Sequence, residues 1–479
     1  MSGLVTFFSK LQEVNCGFDL LSQAVSAYLK GEERGEALLF SLIEGCENLP
    51  LETPENVTDF YQALVAILFM EPSGVDQKIE ALIAKGKVEG FWNSFPLHKG
   101  YQSLAEYLFC GKCDPFEVKQ LERGGVLQEG EMHAFERHIP NPQENGLLAL
   151  VCLYLGWALK NEELIQKGIK LTEFCLSLCD AQGELFEGLW VKESQYKNSK
   201  QQEVFALLFS VVNHIVLSSK MQMIAENFFE KRQGKDPFIS LFAKGFQNLI
   251  DAKVSVTKIH EGITLYDQDQ SLGYVRYQTG NLSLACSASG VNTGLGTLHK
   301  GGIHITSFGP HYPPLADSNY YGIFRPSNGS REGFKDITIE SEEERVRFKG
   351  WTRVIENSST SPGAEWLFFD IEGEGEKIHL KTRRSQCEEI SPLYFVFFVT
   401  AEKVQVGERE FFPKALDRFR GKCHKILFER GEEKMIIDPH FNGEMEVIPL
   451  AGREHFWSAD FLLAFPMREK MCPYSWNVE

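Results

Sequence analysis

The sequence lacks two features: an uninterrupted apolar run long enough to cross a membrane, and an excess of basic residues. Its most apolar stretches, Leu147–Leu159 and Val204–Leu217, are shorter than the roughly 20 residues of a transmembrane helix or contain polar residues. Lysine and arginine total 49 against 66 aspartate and glutamate, a net charge of -17. This charge repels nucleic acid and anionic membranes. We therefore expect a soluble chain that binds neither.

Signals for secretion and for a disulfide framework are also missing. The first ten residues do not combine a basic stretch with an apolar core, so we expect a cytoplasmic protein, with non-classical secretion left open. Eleven cysteines are scattered without regular spacing, which favours a reducing compartment. Cys110 and Cys113 form the single CxxC, and a structural zinc site would need a second such pair or two close histidines. We expect no cofactor.

The hydrophobic pattern changes once along the chain, near residue 250. A chain of 479 residues is too long for one core. Before the change, apolar residues recur at helical spacing; after it, short alternating runs are separated by Gly-rich turns. The pattern predicts an all-helical domain over 1–250 and an antiparallel β domain over 251–479.

The predicted elements are eight helices and about a dozen strands. The helices are Phe18–Leu29, Glu36–Leu42, Asp59–Phe69, Asp76–Ile83, Tyr101–Leu108, Leu147–Leu159, Leu164–Leu178 and Val204–Leu217. The strands are Ile263–Tyr266, Gly273–Tyr277, Leu282–Cys286, Val346–Val354, Glu365–Ile371, Lys377–Thr382, Tyr394–Thr400, Val404–Val406, Lys425–Phe428, Met435–Asp438, Glu444–Ile448 and Asp460–Phe465. So many sequential strands exceed a small sandwich and predict a large double sheet.

One helical hairpin and the β region together resemble a known architecture. Leu147–Leu159, Leu164–Leu178, the stop Asp180–Gly183 and the aromatic loop Glu184–Trp190 resemble one unit of the (α/α) toroids of carbohydrate-active enzymes. The segment Phe456–Phe465 looks like the final strand of a β-super-sandwich. Toroid followed by super-sandwich is the layout of heparinase II/III-like, chondroitin AC-like and oligo-alginate polysaccharide lyases. The resemblance implies a multidomain α and β fold, with an N-terminal (α/α) toroid-like domain and a C-terminal antiparallel β-super-sandwich.

The resemblance also implies an oligosaccharide site in the cleft between the two domains. Gly290–Asn328 has little regular pattern and is rich in His, Tyr and Gly, and long loops in compact domains are usually functional. Its segment Thr297–Thr306 is similar in position to the His-rich segment that faces the cleft in heparinase II/III-like proteins. The loop Glu187–Tyr196, with Asn213 and His214, is expected to supply the helical side of the cleft.

Lyase chemistry next to a uronate needs a base, an acid and a group that neutralises the carboxylate. Tyrosine and histidine serve as base and acid, and Asn, Arg or Glu neutralises the carboxylate. The expected catalytic residues are Tyr196, His214, His299, His304 and Tyr312. The expected substrate-binding residues are Glu187, Trp190, Asn213, Asn292, His311, Tyr320, Tyr321 and Arg325.

These residues also have structural interpretations. His214 lies on a mostly apolar helix, where a hydrogen-bonded core histidine is common. Gly301 and Gly302 fit a turn or bulge between His299 and His304. These two histidines with His311 and Asp317 resemble a metal-ligand set by residue type. However, their spacings match no compact metal motif, and a regular strand would place His299 and His304 on opposite faces.

Two other functions compete with a lyase. A catalytically inactive interaction protein on the same scaffold, with a protein partner, is favoured by the absence of a His-x-His-x-Asp run and by the acidic charge. A glycoside hydrolase would use two carboxylates from Glu184, Glu187 and Glu193, near Trp190 as a sugar-stacking residue. The same glutamates would equally suit a solvated loop.

Overall fold

The computed structural model describes most of the chain in sixteen stretches. They are residues 19–87, 95–123, 142–186, 199–216, 219–231, 236–249, 264–266, 274–287, 294–311, 335–342, 345–355, 362–385, 393–415, 417–450, 459–468 and 473–479. They divide into two compact units, one built from helices and one containing every described strand. The short segment Ser177–Phe186, which begins at the last residue of the helix Glu162–Ser177, groups with the strands.

Eleven helices lie in the described part of the helical half. They are α1 (Leu20–Lys30), α2 (Gly35–Asn48), α3 (Pro54–Phe69), α4 (Asp76–Gly86), α5 (Pro96–Cys110), α6 (Pro115–Arg123), α7 (Pro142–Leu159), α8 (Glu162–Ser177), α9 (Ser199–Val216), α10 (Ser219–Lys231) and α11 (Pro237–Leu249). The sequence pattern did not identify α6, α10 and α11.

Local sequence signals explain where these helices begin and end. Asp19 accepts a hydrogen bond from the backbone N–H of Ser22 at 2.8 Å and so caps α1. Thr53 caps α3, whose first residue is Pro54. Gly31 and Gly111 follow α1 and α5 with φ of +67° and +72°, a conformation that glycine adopts without a steric penalty.

Most residues of helix α7 are buried, and small residues let its neighbours approach. A Cβ atom at Gly146 would lie 2.6 Å from Val204 of α9, and one at Gly156 would lie 2.7 Å from Ile165 of α8. Side chains at these two positions would force the helices apart. No helix among those described is both long and apolar enough to span a membrane.

Eighteen strands lie in the described part of the second unit. They are β1 (Thr264–Tyr266), β2 (Tyr274–Thr279), β3 (Leu282–Ser287), β4 (Gly296–Lys300), β5 (Ile303–His311), β6 (Lys335–Glu342), β7 (Arg345–Ile355), β8 (Pro362–Glu374), β9 (Lys377–Arg384), β10 (Tyr394–Thr400), β11 (Lys403–Val406), β12 (Arg409–Phe411), β13 (Phe419–Lys422), β14 (Ile426–Arg430), β15 (Glu433–Pro439), β16 (Glu444–Pro449), β17 (Phe461–Pro466) and β18 (Tyr474–Val478).

The strands form two antiparallel sheets of nine strands each. The first sheet has the order β1-β2-β3-β4-β5-β10-β17-β16-β13, and the second has the order β12-β11-β14-β15-β18-β9-β8-β7-β6. Side chains from both sheets contribute to a single buried apolar cluster. Trp476 of β18 is fully buried there, with its ring centroid 4.5 Å from that of Phe395 of β10. The two sheets therefore share one core.

Two strand predictions were wrong. Gly290–Asn328 is not irregular throughout, because β4 and β5 lie within it and every residue of β5 is buried. Strands that are buried on both faces do not alternate between apolar and polar residues. Because β4 and β5 also contain glycine, histidine and threonine, their sequence pattern resembles that of a loop. The segment Phe456–Phe465 is not the final strand either, because β18 follows β17 and pairs with β9 and β15.

Candidate functional site

A tight hairpin brings two histidines of the first sheet together. The strands β4 and β5 are joined by Gly301 and Gly302, and Gly301 has the positive φ, +56°, that two-residue hairpin turns require. His299 pairs directly with His304 across this hairpin. Their rings are stacked, with centroids 3.8 Å apart and an interplanar angle of 6°. The expectation that they lie on opposite faces was wrong, because the chain reverses between them.

Both histidines lie on the face of the first sheet that points away from the shared core. Their strand neighbours Leu298, Ile303 and Ile305 belong to that core, so alternation directs the histidines to the other side. We call this side the outer face. A bulge next to Thr306 then shifts the alternation of side chains along β5, so His311 also lies on the outer face. The ring centroid of His311 lies 6.3 Å from that of Phe398, which belongs to an apolar cluster on this face.

The segment Ser177–Phe186 packs on this outer face and is held by hydrogen bonds from β2 and β3. The Tyr274 hydroxyl donates to the carbonyl of Ser177 at 2.6 Å. The Arg276 Nε donates to the carbonyl of Cys179 at 3.1 Å, and the backbone N–H of Ala181 donates to Ser283 Oγ at 3.0 Å. Buried polar side chains of the sheet therefore fix the backbone of this segment.

Asp180 is the centre of the segment and contacts His299. Its Oδ1 accepts hydrogen bonds from the backbone N–H groups of Gln182 and Glu184, at 2.9 and 2.8 Å. Its Oδ2 lies 2.8 Å from Nδ1 of His299. The relative exposures of Asp180, His299 and His304 are 2%, 0% and 8%. We call these three residues the Asp–His–His cluster; it is a buried polar group held by a turn and a hairpin.

The electrostatics of the cluster favour a charged aspartate and a neutral His304. Burial alone would raise the pKa of Asp180, but the hydrogen bond and charge of His299 and the backbone donors outweigh it, so the pKa is lowered. Burial, together with the like charge of His299, holds the pKa of His304 well below its ordinary value of 6.5. His304 is therefore an uncharged imidazole at neutral pH.

An ionised Asp180 determines which nitrogen of His299 carries the proton. A carboxylate only accepts hydrogen bonds, so Nδ1 of His299 must donate, and in the neutral form of this imidazole Nε2 keeps its lone pair. Within the described stretches, Nε2 of His299 and Nε2 of His304 are buried without a hydrogen-bond partner. The arrangement presents a carboxylate-oriented imidazole, which is suited to accept a proton.

The same cluster could hold a metal ion. One donor atom from each of Asp180, His299 and His304 lies within 4.8 Å of the other two. Imidazole nitrogen with carboxylate oxygen is a donor set that suits zinc. The set differs from the predicted one, in which His311 and Asp317 took part.

Of the other predicted site residues that the structure describes, none is in the cluster. Asn213 and His214 are half-buried on α9, in the helical unit. Glu184 contributes backbone groups to the turn around Asp180, since its N–H and carbonyl both bond to that residue. Outside the described residues lie Glu187, Trp190, Glu193, Tyr196, Asn292, Tyr312, Asp317, Tyr320, Tyr321 and Arg325.

The sequence analysis did not identify Asp180 as part of the cluster, or Tyr274 and Arg276 as the side chains that hold its segment. Asp180 was interpreted only as part of a helix stop, and Gly183 does take a left-handed conformation, with φ of +79°. The available signal was an Arg and a Tyr within a short strand, because buried polar side chains need hydrogen-bond partners. Here the partners are carbonyls 97 residues away in sequence.

The helices and the two antiparallel sheets form a polysaccharide lyase-like architecture. The chain superposes over its whole length on a xanthan lyase from Paenibacillus, with a TM-score of 0.59, 8% sequence identity and 53% of that chain covered. It also superposes over its whole length on a mutant of chondroitin AC lyase from Streptomyces coelicolor A3, with a TM-score of 0.50, 9% identity and 74% of that chain covered.

These likenesses concern the fold alone, because the identities are low. The chain spans about half the length of the xanthan lyase. No protein-family model and no curated protein sequence matches it.

Proposed function

We propose that this chain acts on acidic oligosaccharides by β-elimination, with the Asp–His–His cluster as its proton-transfer group. The observation that carries the proposal is the hydrogen bond from Nδ1 of His299 to Asp180. It leaves Nε2 of His299 as a buried proton acceptor, within an architecture that two polysaccharide lyases share.

Elimination would proceed in three linked events. A base removes the proton next to the uronate carboxylate, the C–O bond to the leaving sugar breaks, and an acid protonates the leaving oxygen. In this proposal, Nε2 of His299 takes the proton, and Asp180 stabilises the imidazolium that forms. Tyr196 or Tyr312 is proposed as the acid that protonates the leaving oxygen. Arg325 and Asn213 are proposed to neutralise the substrate carboxylate.

The wider predictions belong to the same proposal. We propose that residues 1–250 form an (α/α) toroid-like domain and that residues 251–479 form a β-super-sandwich. The shared core of the two sheets supports the second part. An oligosaccharide is the proposed partner of the whole chain.

A binding protein without catalysis is the second candidate, and the burial of the cluster favours it. The side chains of His299 and Asp180 are 1% and 3% exposed. Under this alternative, the pair stabilises the turn at Ser177–Phe186, and sugar binding proceeds without bond cleavage.

A product assay distinguishes the two candidates. The full chain is incubated with a panel of uronate oligosaccharides, and the ultraviolet absorbance of the unsaturated product is followed. The lyase proposal expects new absorbance with at least one member of the panel. If no member gives new absorbance while one or more binds by calorimetry, the binding protein is supported and the lyase is rejected.

A further inference from the structure

The second sheet has a solvent-facing groove that combines aromatic and cationic side chains. It lies across β7, β8 and β9 and has a volume of about 460 Å³. Ligand pockets usually measure about 300 to 1,000 Å³. Six side chains define what we call the aromatic groove: Lys349, Trp351, Phe368, Asp370, Lys381 and Arg383.

Strand register arranges these side chains in two rows. Trp351, Phe368 and Arg383 lie side by side on the three strands, and Lys349, Asp370 and Lys381 form the next row. They alternate with core residues such as Phe369, so all six lie on the solvent-facing side of the sheet. The groove therefore places aromatic faces beside positive charges.

The groove carries an excess of positive charge in an acidic protein. Lys349 pairs with Glu340 at 2.8 Å, and Asp370 accepts from Nε of Arg347 at 2.8 Å. Lys381 and Arg383 are exposed and form no ion pair with a carboxylate of the described stretches. Arg383 instead lies 4.7 Å above the ring of Phe368. Two cations are thus available to an anionic ligand.

We propose that the aromatic groove binds a carboxylate-bearing oligosaccharide. A sugar ring would stack on Trp351, because aromatic rings offer large apolar faces, while Arg383 lies over the ring of Phe368. Lys381 and Arg383 would bind the carboxylates through charge-assisted hydrogen bonds. The rival ligand, a single-stranded nucleic acid, is disfavoured because its phosphates need a longer basic surface than the two cations of the groove provide.

The aromatic groove would be a second site for the ligand class of the proposed function, acidic oligosaccharides. The choice of sugar rests on that proposed function. Binding is measured without turnover. A protein that binds at the groove but shows no lyase activity would support the groove and not the lyase. An active protein that does not bind at the groove would support the lyase and not the groove.

Calorimetric titration of the full chain tests the proposal. The probes are a galacturonate hexamer, the neutral cellohexaose and a thymidine hexanucleotide. The wild-type chain is expected to bind galacturonate and not cellohexaose. Lys381→Ala/Arg383→Ala should weaken galacturonate binding at least about tenfold, the effect of losing charge-assisted bonds.

A matched double variant controls for charge. Arg409→Ala/Lys434→Ala removes two exposed cations elsewhere on the second sheet and should change the affinity less than about threefold, since rim charges contribute little. Trp351→Leu tests stacking, with circular dichroism to verify folding. Equal affinities in the two double variants, no galacturonate binding, or tighter binding of the hexanucleotide would each overturn the proposal.

Discussion

At the scale of single residues, three side chains form the Asp–His–His cluster, and only two of them were expected as site residues. His299 and His304 were predicted as site residues, and the hairpin places them together. Asp180 was not predicted, because a contact across 119 residues leaves no local pattern in the sequence. Residue type could be read from the sequence, whereas the partner of each residue depends on the fold.

The low pKa of His304 leads to a prediction about stability. As the pH falls below about 6.5, the unfolded chain binds a proton at this residue while the folded chain does not, so acid favours unfolding. We expect the free energy of unfolding to fall by up to about 1.4 kcal/mol per pH unit between about pH 6 and 5 from this residue.

Urea unfolding of the wild type and of His304→Gln measures this effect. In His304→Gln, the free energy of unfolding should no longer show the fall between about pH 6 and 5 that His304 causes. The control His379→Gln changes a half-buried histidine that bonds to Asn477, and it should keep the slope. Identical slopes in the wild type and His304→Gln would show that His304 is not held neutral.

The CxxC sequence leads to a second prediction at this scale. Cys113 donates to the carbonyl of Ser103, and burial raises its thiol pKa to about 12. Cys110 is exposed. Because the thiolate is the reactive form, iodoacetamide at mildly alkaline pH should label Cys110 well before Cys113. Mass spectrometry of timed samples measures the order, and faster labelling of Cys113 would contradict it.

At the scale of elements, the turn between β4 and β5 determines the geometry of the cluster. Gly301 has φ of +56°, and a Cβ atom there would lie 2.5 Å from the carboxyl carbon of Glu433. Gly375, in the turn between β8 and β9, has nearly the same φ, +55°, with open space around it. The two glycines form a matched pair.

Alanine at Gly375 should destabilise the protein by about 1 to 2 kcal/mol, the penalty of a left-handed conformation, and alanine at Gly301 by at least as much, because its Cβ also crowds Glu433. Only Gly301→Ala should also change the titration of His304, because that turn carries both histidines. NMR titration of the histidine ring protons measures this. If the titration of His304 changes in Gly375→Ala, or stays unchanged in Gly301→Ala, then the turn between β4 and β5 does not determine the geometry of the cluster.

Elements with simple periodicity were predictable, and elements with mixed composition were not. The segments Leu147–Leu159 and Tyr394–Thr400 were read correctly as a helix and a strand. The strands β4 and β5 were missed, since both of their faces are buried and glycine, threonine and histidine replace apolar residues. The hairpin that carries the two histidines of the cluster was therefore the hardest element to predict from the sequence.

At the scale of the whole molecule, the change of periodicity near residue 250 predicted the lyase-like architecture. The helices precede the sheets along the chain, and the whole chain superposes on two lyases. The segment Ser177–Phe186 adds a detail that periodicity does not show. It comes from the helical half of the sequence, yet it belongs to the unit that contains the strands and supplies Asp180 to the cluster.

The central claim is that Asp180 orients His299 as a base. Asp180→Asn keeps the size of the side chain, but its amide group can donate to Nδ1, which would leave the proton on Nε2. Asp438→Asn makes the same change at a partly exposed carboxylate near Lys425 and serves as the control.

The most direct measurement is the initial rate of unsaturated product formation by these two variants and the wild type, on whichever uronate oligosaccharide the wild type cleaves. The account predicts a loss of about 100-fold or more in kcat for Asp180→Asn, with little change for Asp438→Asn. An Asp180→Asn rate within about threefold of the wild type, in a protein that remains folded, would contradict it.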